Sequence, residues 1–138
     1  MPKNTFDLRH VVTFEETNLV GNVYYSSHFS WQGRCRELFL RDHAPEVLAD
    51  LQAGRLRMVT AHASCDYIDE FRAFDEVLVR LSLNRFIAYG LSLDFDFVRG
   101  HETLARGRQD IKFLCLRAGN WELADLPERL AQAARRYE

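Results

Sequence analysis

Cysteine is scarce in this chain, an excess charge of either sign is scarcer, and a long apolar run is missing altogether. The three cysteines among 138 residues, Cys35, Cys65 and Cys115, are widely spaced and odd in number. That argues against a disulfide scaffold and against a zinc knuckle, and it fits a reduced, cytoplasmic setting. No segment approaches the ~20 consecutive apolar residues of a membrane span. The polar start MPKNTFDLRH has no apolar core of a secretory signal. The net charge is only -2, from 18 basic and 20 acidic residues, so neither nucleic acid nor a membrane surface is an expected partner. His10, His43, His62 and His101 have no metal-ligand spacing, so neither a metal nor a cofactor is expected.

What is present suits one core. A hydrophobic fraction of 47% over 138 residues fills one interior but not two, so residues 1–138 read as one domain. Ten Phe, five Tyr and two Trp point to an aromatic interior or a large subunit interface.

Periodicity gives the elements. Phe6, Leu8, His10, Val12 and Phe14 share one parity, which predicts a first strand over Phe6–Phe14. A polar stretch then breaks the run; Thr17 or Asn18 is a candidate cap, and Gly21 eases a tight bend. A helix is expected over Ser27–Arg41, with Trp31, Cys35, Leu38 and Phe39 as its apolar stripe. Gly33 within it would permit close packing against a sheet. Pro45 opens a short second helix over Pro45–Ala53, closed by Gly54.

The rest reads mainly as strands. They are expected over Arg57–Tyr67, Glu76–Ala88 and Thr103–Arg117, with Leu91, Leu93, Phe95 and Phe97 alternating between the last two. Tyr89-Gly90 marks a bend or bulge, Arg99–Glu102 a turn, and Asn120 a second turn. Pro127 opens a C-terminal helix, Glu128–Arg136. A mostly antiparallel sheet needs its apolar face covered, and only the long helix is long enough. The expected fold is therefore α+β, a curved antiparallel sheet wrapped around one central helix. A sheet of this size would leave an exposed edge, which is a physical reason to expect assembly.

Chemistry concentrates in Glu16–Tyr25. This is a polar loop with a glycine bend, directly before the long helix. Unpaired N–H groups at a helix start attract negative charge, which is what an oxyanion in acyl transfer requires. Cys35 reads as a buried small hydrophobe. Arg106, Arg108 and Lys112 alternate on one strand face, either to meet an acidic partner or as a solvated face.

The run Glu16-Thr17-Asn18-x-x-Gly21-x-Val23-Tyr24-Tyr25, with Arg36-Glu37 on the helix that follows, resembles the 4-hydroxybenzoyl-CoA thioesterase branch of the hot-dog superfamily. Asn18 matches the position of that family's catalytic Asp. It is neither a useful base nor a useful nucleophile at neutral pH. With Trp31-Gln32-Gly33-x-x-Arg36-Glu37, the pattern is most similar to the enediyne polyketide thioesterases. These release a linear polyene from the acyl carrier protein domain of an iterative polyketide synthase.

The resemblance implies catalytic roles for Asn18, Arg36 and the Tyr25 backbone N–H, with Arg34 as the weaker alternative to Arg36. Glu37 is the alternative side-chain base. Tyr24 (in part through its own N–H), His28, Gly21 and Arg85 are the implied substrate contacts. The implied substrate is a phosphopantetheine-linked β-keto acyl chain, and the implied assembly a tetramer built as a dimer of dimers. A general acyl-CoA thioesterase and a non-catalytic acyl-thioester-binding protein are the alternatives.

Overall fold

The computed structural model describes residues 3–138. In chain order the elements are β1 (Phe6–Val11), a 3-10 turn (Phe14–Glu16), α1 (Ser27–His43), α2 (Pro45–Gln52), β2 (Leu56–Tyr67), β3 (Glu76–Ile87), β4 (Gly90–Arg99), β5 (Glu102–Arg117), β6 (Asn120–Ala124) and α3 (Glu128–Arg135). The sheet runs β1-β3-β4-β5-β2, with β6 also on β5, and every pairing is antiparallel. β1 and β2 are its edges. This is the hot-dog arrangement.

The two faces of the sheet follow from period-two alternation. Val77, Val79, Leu81 and Leu83 on β3 face inward, as do Leu93, Phe95 and Phe97 on β4 and Ile111 and Phe113 on β5; all are buried. α1 lies against this face and presents Trp31, Cys35, Phe39 and Leu40 to it. Each fully buried aromatic or aliphatic side chain contributes roughly 1.5–3 kcal/mol. The outer face carries charge instead. Register aligns Asp7, Arg80, Asp96, Arg106 and Asp66 in one row across five strands. Within it Arg80 lies 3.9 Å from Asp7 and Arg106 lies 3.6 Å from Asp96, and beside it Arg108 lies 3.0 Å from Asp94.

Five local expectations are corrected. β1 ends at Val11 because Phe14 opens the 3-10 turn, where the Thr13 N–H donates to Glu16 Oε1 at 3.0 Å. Neither Thr17 nor Asn18 caps α1; Ser26 precedes it. Leu40, not Leu38, completes the buried stripe. Gly33 faces open space, and the glycine that permits close approach is Gly107 on β5. A Cβ there would stand 2.0 Å from Gln32 Nε2 and 3.0 Å from the Ser64 carbonyl. Finally, the segment after Asn120 is a strand, β6, entered through left-handed Ala118 and Gly119. Tyr89 (φ 62) turns the β3–β4 hairpin, while the irregularity in that ladder falls between Leu83 and Arg85.

Candidate active site

The loop between β1 and α1 is held from beneath by one carboxylate. Glu16 accepts from Trp31 Nε1 at 2.6 Å, from His10 Nε2 at 2.8 Å and from the Thr13 N–H. Arg34 Nη1 donates to His10 Nδ1 at 3.2 Å, which leaves the imidazole proton on Nε2, facing Glu16. Burial works to raise the Glu16 pKa. The hydrogen bonds from Thr13, Trp31 and His10, and the charge of His10 when protonated, outweigh it and hold the carboxyl below its ordinary range. The Glu16 carbonyl in turn accepts from the Tyr24 N–H at 2.8 Å and from Ser27 Oγ at 3.2 Å. One residue thus ties β1, the loop and the first turns of α1 together.

Above this anchor the chain makes a tight turn. The Gly21 N–H donates to the Asn18 carbonyl at 3.0 Å, and Gly21 takes φ 92, a left-handed value that a side chain would strain. Asn18 Oδ1 accepts from the Val20 N–H at 3.0 Å, so its oxygen is fixed. Its Nδ2 has no partner among the described residues. Leu19 and Val20 stand exposed at the tip.

Asn18, Tyr24, Tyr25 and His28 line one cavity of about 250 Å³, closed on the far side by Tyr67 and Phe71. Tyr67 reaches over it from β2 and donates its hydroxyl to the Tyr25 carbonyl at 2.7 Å. The Tyr24 N–H is engaged by Glu16, which removes it as a donor to substrate. The Tyr25 N–H has no backbone acceptor among the described residues and remains available at the start of α1.

His28, the second residue of α1, is 3% exposed, yet neither ring nitrogen has a hydrogen-bond partner among the described residues. Trp31, Tyr67, Phe71 and Phe97 surround its ring at centroid distances of 4.8–6.1 Å. Burial lowers its pKa below the ordinary imidazole value. The Tyr25 carbonyl opposes this without reaching hydrogen-bond geometry.

Arg36 is not in this cavity. It lies eight residues, about 12 Å, further along α1 than His28. It donates to Thr60 Oγ1 and to Gln109 Oε1, each at 3.0 Å. Gln109 Nε2 donates to Gln32 Oε1 at 3.1 Å, and Gln32 Nε2 to the Ser64 carbonyl at 3.1 Å. Gly107 leaves the room that Gln32 needs. Burial lowers the Arg36 pKa and the charge of Glu37 opposes it; a guanidinium stays charged regardless. Arg36 also borders a seam between α1 and the sheet, lined by Phe39, Met58, Leu91 and Ile111, with about 10 Å³ of free volume.

The remaining candidates stand apart in this chain. Glu37 is exposed beside Arg36 and lines neither space. Gly21 shapes the turn and does not line the cavity. Arg85 is exposed near the far end of β3, opposite Ser92, away from the end that carries the loop. Tyr67 and the Gln32–Gln109 pair were not legible as site residues. Only the bulge between Thr60 and His62 brings Ala63, Cys65 and Tyr67 to the inner face, and no sequence period foretells a bulge.

A curved antiparallel sheet around a central helix, with a cavity of about 250 Å³ at that helix's N-terminus, is the architecture of a hot-dog acyl-transfer enzyme. The chain belongs to the thioesterase-like superfamily, which matches residues 12–134; it is a thioesterase. It is 44% identical to the dynemicin thioesterase, a structure with induced-fit and allosteric effects upon polyene binding. That likeness covers 97% of each chain at a TM-score of 0.91. The 1,4-dihydroxy-2-naphthoyl-CoA thioesterase from Synechocystis shares the fold at 21% identity, with 96% of each chain covered and a TM-score of 0.85. The BH1999 gentisyl-coenzyme A thioesterase does so at 17%, covering 94% of this chain and 98% of its own, at 0.77. No curated protein sequence matches the chain.

Proposed function

We propose that this thioesterase hydrolyses a β-keto polyene thioester carried by the acyl carrier protein domain of an iterative enediyne polyketide synthase. The β-keto acid released can lose CO₂ to leave a methyl ketone. The observation that supports the chemistry is the cavity at the start of α1, which Asn18 and Tyr25 both line. The substrate class is supported by the 44% identity to the dynemicin thioesterase.

In this reading the phosphopantetheine arm brings the thioester to the cavity. The Tyr25 N–H holds its oxygen, Asn18 Nδ2 orients the carbonyl, and the helix start stabilises the developing negative charge. The acyl chain runs along the seam under α1. A seam of about 10 Å³ admits at most a water molecule, so the chain must part α1 from the sheet as it binds. A β-keto oxygen lies only three bonds from the thioester carbon, and Arg36 of the same chain is too far along α1 to reach it. Its proposed part is to hold a polar group of the substrate at the seam. β2 presents an unpaired edge, which supports assembly through that edge and a tetramer as a dimer of dimers. The absence of a described helix long and apolar enough to cross a membrane is compatible with reaction in the cytoplasm.

The test compares release from a β-keto polyenoyl carrier protein with hydrolysis of saturated acyl-CoA. Preference for the first is expected, and Asn18→Ala should lower its rate on the order of 10²-fold. Faster turnover of saturated acyl-CoA would overturn the substrate class. Stable binding without hydrolysis would overturn the activity.

A further inference from the structure

A thioesterase with Asn18 in place of a carboxylate still has to dispose of the proton of its attacking water. Asn18 cannot accept it. Glu16 is held by Thr13, Trp31 and His10 beneath the loop, turned away from the cavity. Glu37 is exposed on another face of α1. Asp69 and Glu70 also line the cavity, but both are exposed and already engaged, Asp69 Oδ1 by the Glu70 N–H at 2.7 Å and Glu70 Oε1 by Asn22 Nδ2 at 2.9 Å. His28 is the one buried basic side chain on the cavity wall, and its ring nitrogens have no hydrogen-bond partner among the described residues.

We propose that His28 is the general base, receiving the proton of the water that attacks the thioester. Three observations carry this. His28 lines the same cavity as Asn18 and Tyr25. It is 3% exposed, and neither ring nitrogen has a partner among the described residues. Buried polar groups are almost always satisfied, and leaving one unpaired destabilises the fold. Its ring is also fixed in direction by Trp31, Tyr67, Phe71 and Phe97, an enclosure that holds an imidazole as firmly as it would hold a phenyl. A packing role needs only the ring; the two nitrogens are what remain to be explained.

The step balances without a further reactant. The water oxygen bonds to the carbonyl carbon while its proton passes to an imidazole nitrogen. The carbonyl π-electrons move to the oxygen held by the Tyr25 N–H. Collapse of that oxyanion breaks the C–S bond, and the departing thiolate takes the proton back from the imidazolium. Acid, free thiol and neutral His28 result. The aromatic enclosure and the positive end of α1 both disfavour a resting imidazolium, so the base is neutral when water arrives. Tyr25, Tyr67, Asp69 and Glu70 face the same cavity, and His10 and Glu16 lie behind Trp31.

The inference rests on the thioesterase reading and has its own test. Single-turnover hydrolysis of a β-keto acyl N-acetylcysteamine thioester is measured from pH 5 to 9. The wild-type rate should fall about tenfold per pH unit below an apparent pKa under the ordinary 6.5 of histidine. His28→Phe, which keeps the aromatic packing, should lose about 10²-fold or more in rate with KM within threefold, and should lose the acid limb. His28→Gln keeps a polar group without basicity and should lose as much. A rate flat across the acid range, or a His28→Gln variant within threefold of wild type, overturns the role of His28 and leaves the thioesterase reading standing. A wild-type protein that hydrolyses no acyl thioester overturns that reading, and this proposal with it.

Discussion

Exchanging Gly107 for alanine, beside the same exchange at Gly33, separates a glycine that the fold requires from one that it merely contains. At Gly107 the new methyl would sit 2.0 Å from Gln32 Nε2 and 3.0 Å from the Ser64 carbonyl. Gln32 is fully buried and has no free space to swing into. It must give up its bond to Ser64, and with it the alignment that Gln109 and Arg36 share. Overpacking costs about 1–3 kcal/mol, and an orphaned buried amide costs about as much again; partial relaxation of β5 makes about 2–4 kcal/mol the expected total. With an unfolding entropy of ~2.1 cal/mol/K per residue, 1 kcal/mol moves the Tm of a chain this long by about 3–4 °C. Gly107→Ala should therefore melt roughly 7–15 °C lower. At Gly33 nothing lies within 4 Å of the added methyl, and alanine gains roughly 0.5–1 kcal/mol of helix preference, or a Tm higher by about 2–4 °C. Thermal melts by circular dichroism at one fixed protein concentration read both variants. A Gly107→Ala melt within 2 °C of wild type (of order 0.5 kcal/mol), or a Gly33→Ala variant that falls as far, refutes the account of how α1 meets β5.

Two further outcomes follow from the site and the thiols. Glu16→Gln should lose about 2–3 kcal/mol in urea unfolding at pH 7, since an amide cannot satisfy His10, Trp31 and Thr13 together. The folded Glu16 pKa lies below its unfolded value, so its contribution is complete above about pH 4.5 and is lost as pH falls through the folded value; the gap between variant and wild type should close there. Burial pushes the Cys35 thiol up to about 12 and the Cys65 thiol up to about 11. Cys115, half-buried and 3.3 Å from Arg117 Nε, should therefore be the cysteine that Ellman's reagent titrates in the native protein at pH 8. Fast reaction at Cys35 would contradict the packing of α1.

The sheet was legible in the sequence because its central strands carry an alternating apolar face. Val77 to Leu83 and Leu91 to Phe97 alternate, and the structure buries each of these residues that the pattern points inward. α1 was legible in extent but not in detail. Its inner face carries two polar side chains, His28 and Gln32, that no hydrophobic stripe includes. Gln32 is there because Gly107, 75 residues later in the chain, makes room for it; composition near Gln32 holds no trace of that. Asn120 was read as a turn and no strand was read after it, because Trp121 and Leu123 alternate over too few residues and because pairing with β5, not burial, makes β6 a strand. The loop was legible as a motif. Which of its groups are free was not, since that depends on the Glu16 carbonyl engaging Tyr24 and leaving Tyr25.

The row of charges across the outer sheet has a consequence for how partners arrive. Asp7, Arg80, Asp96, Arg106 and Asp66 alternate in sign from one edge to the other. Opposite charges a strand apart cancel each other's field within about one Debye length, ~8–10 Å at physiological ionic strength. From farther away this broad surface is electrically quiet. Arg106 and Arg108, which the sequence left as either a contact for an acidic partner or a solvated face, are muted by Asp96 and Asp94. A charged molecule drifting past would feel little pull toward the back of the sheet.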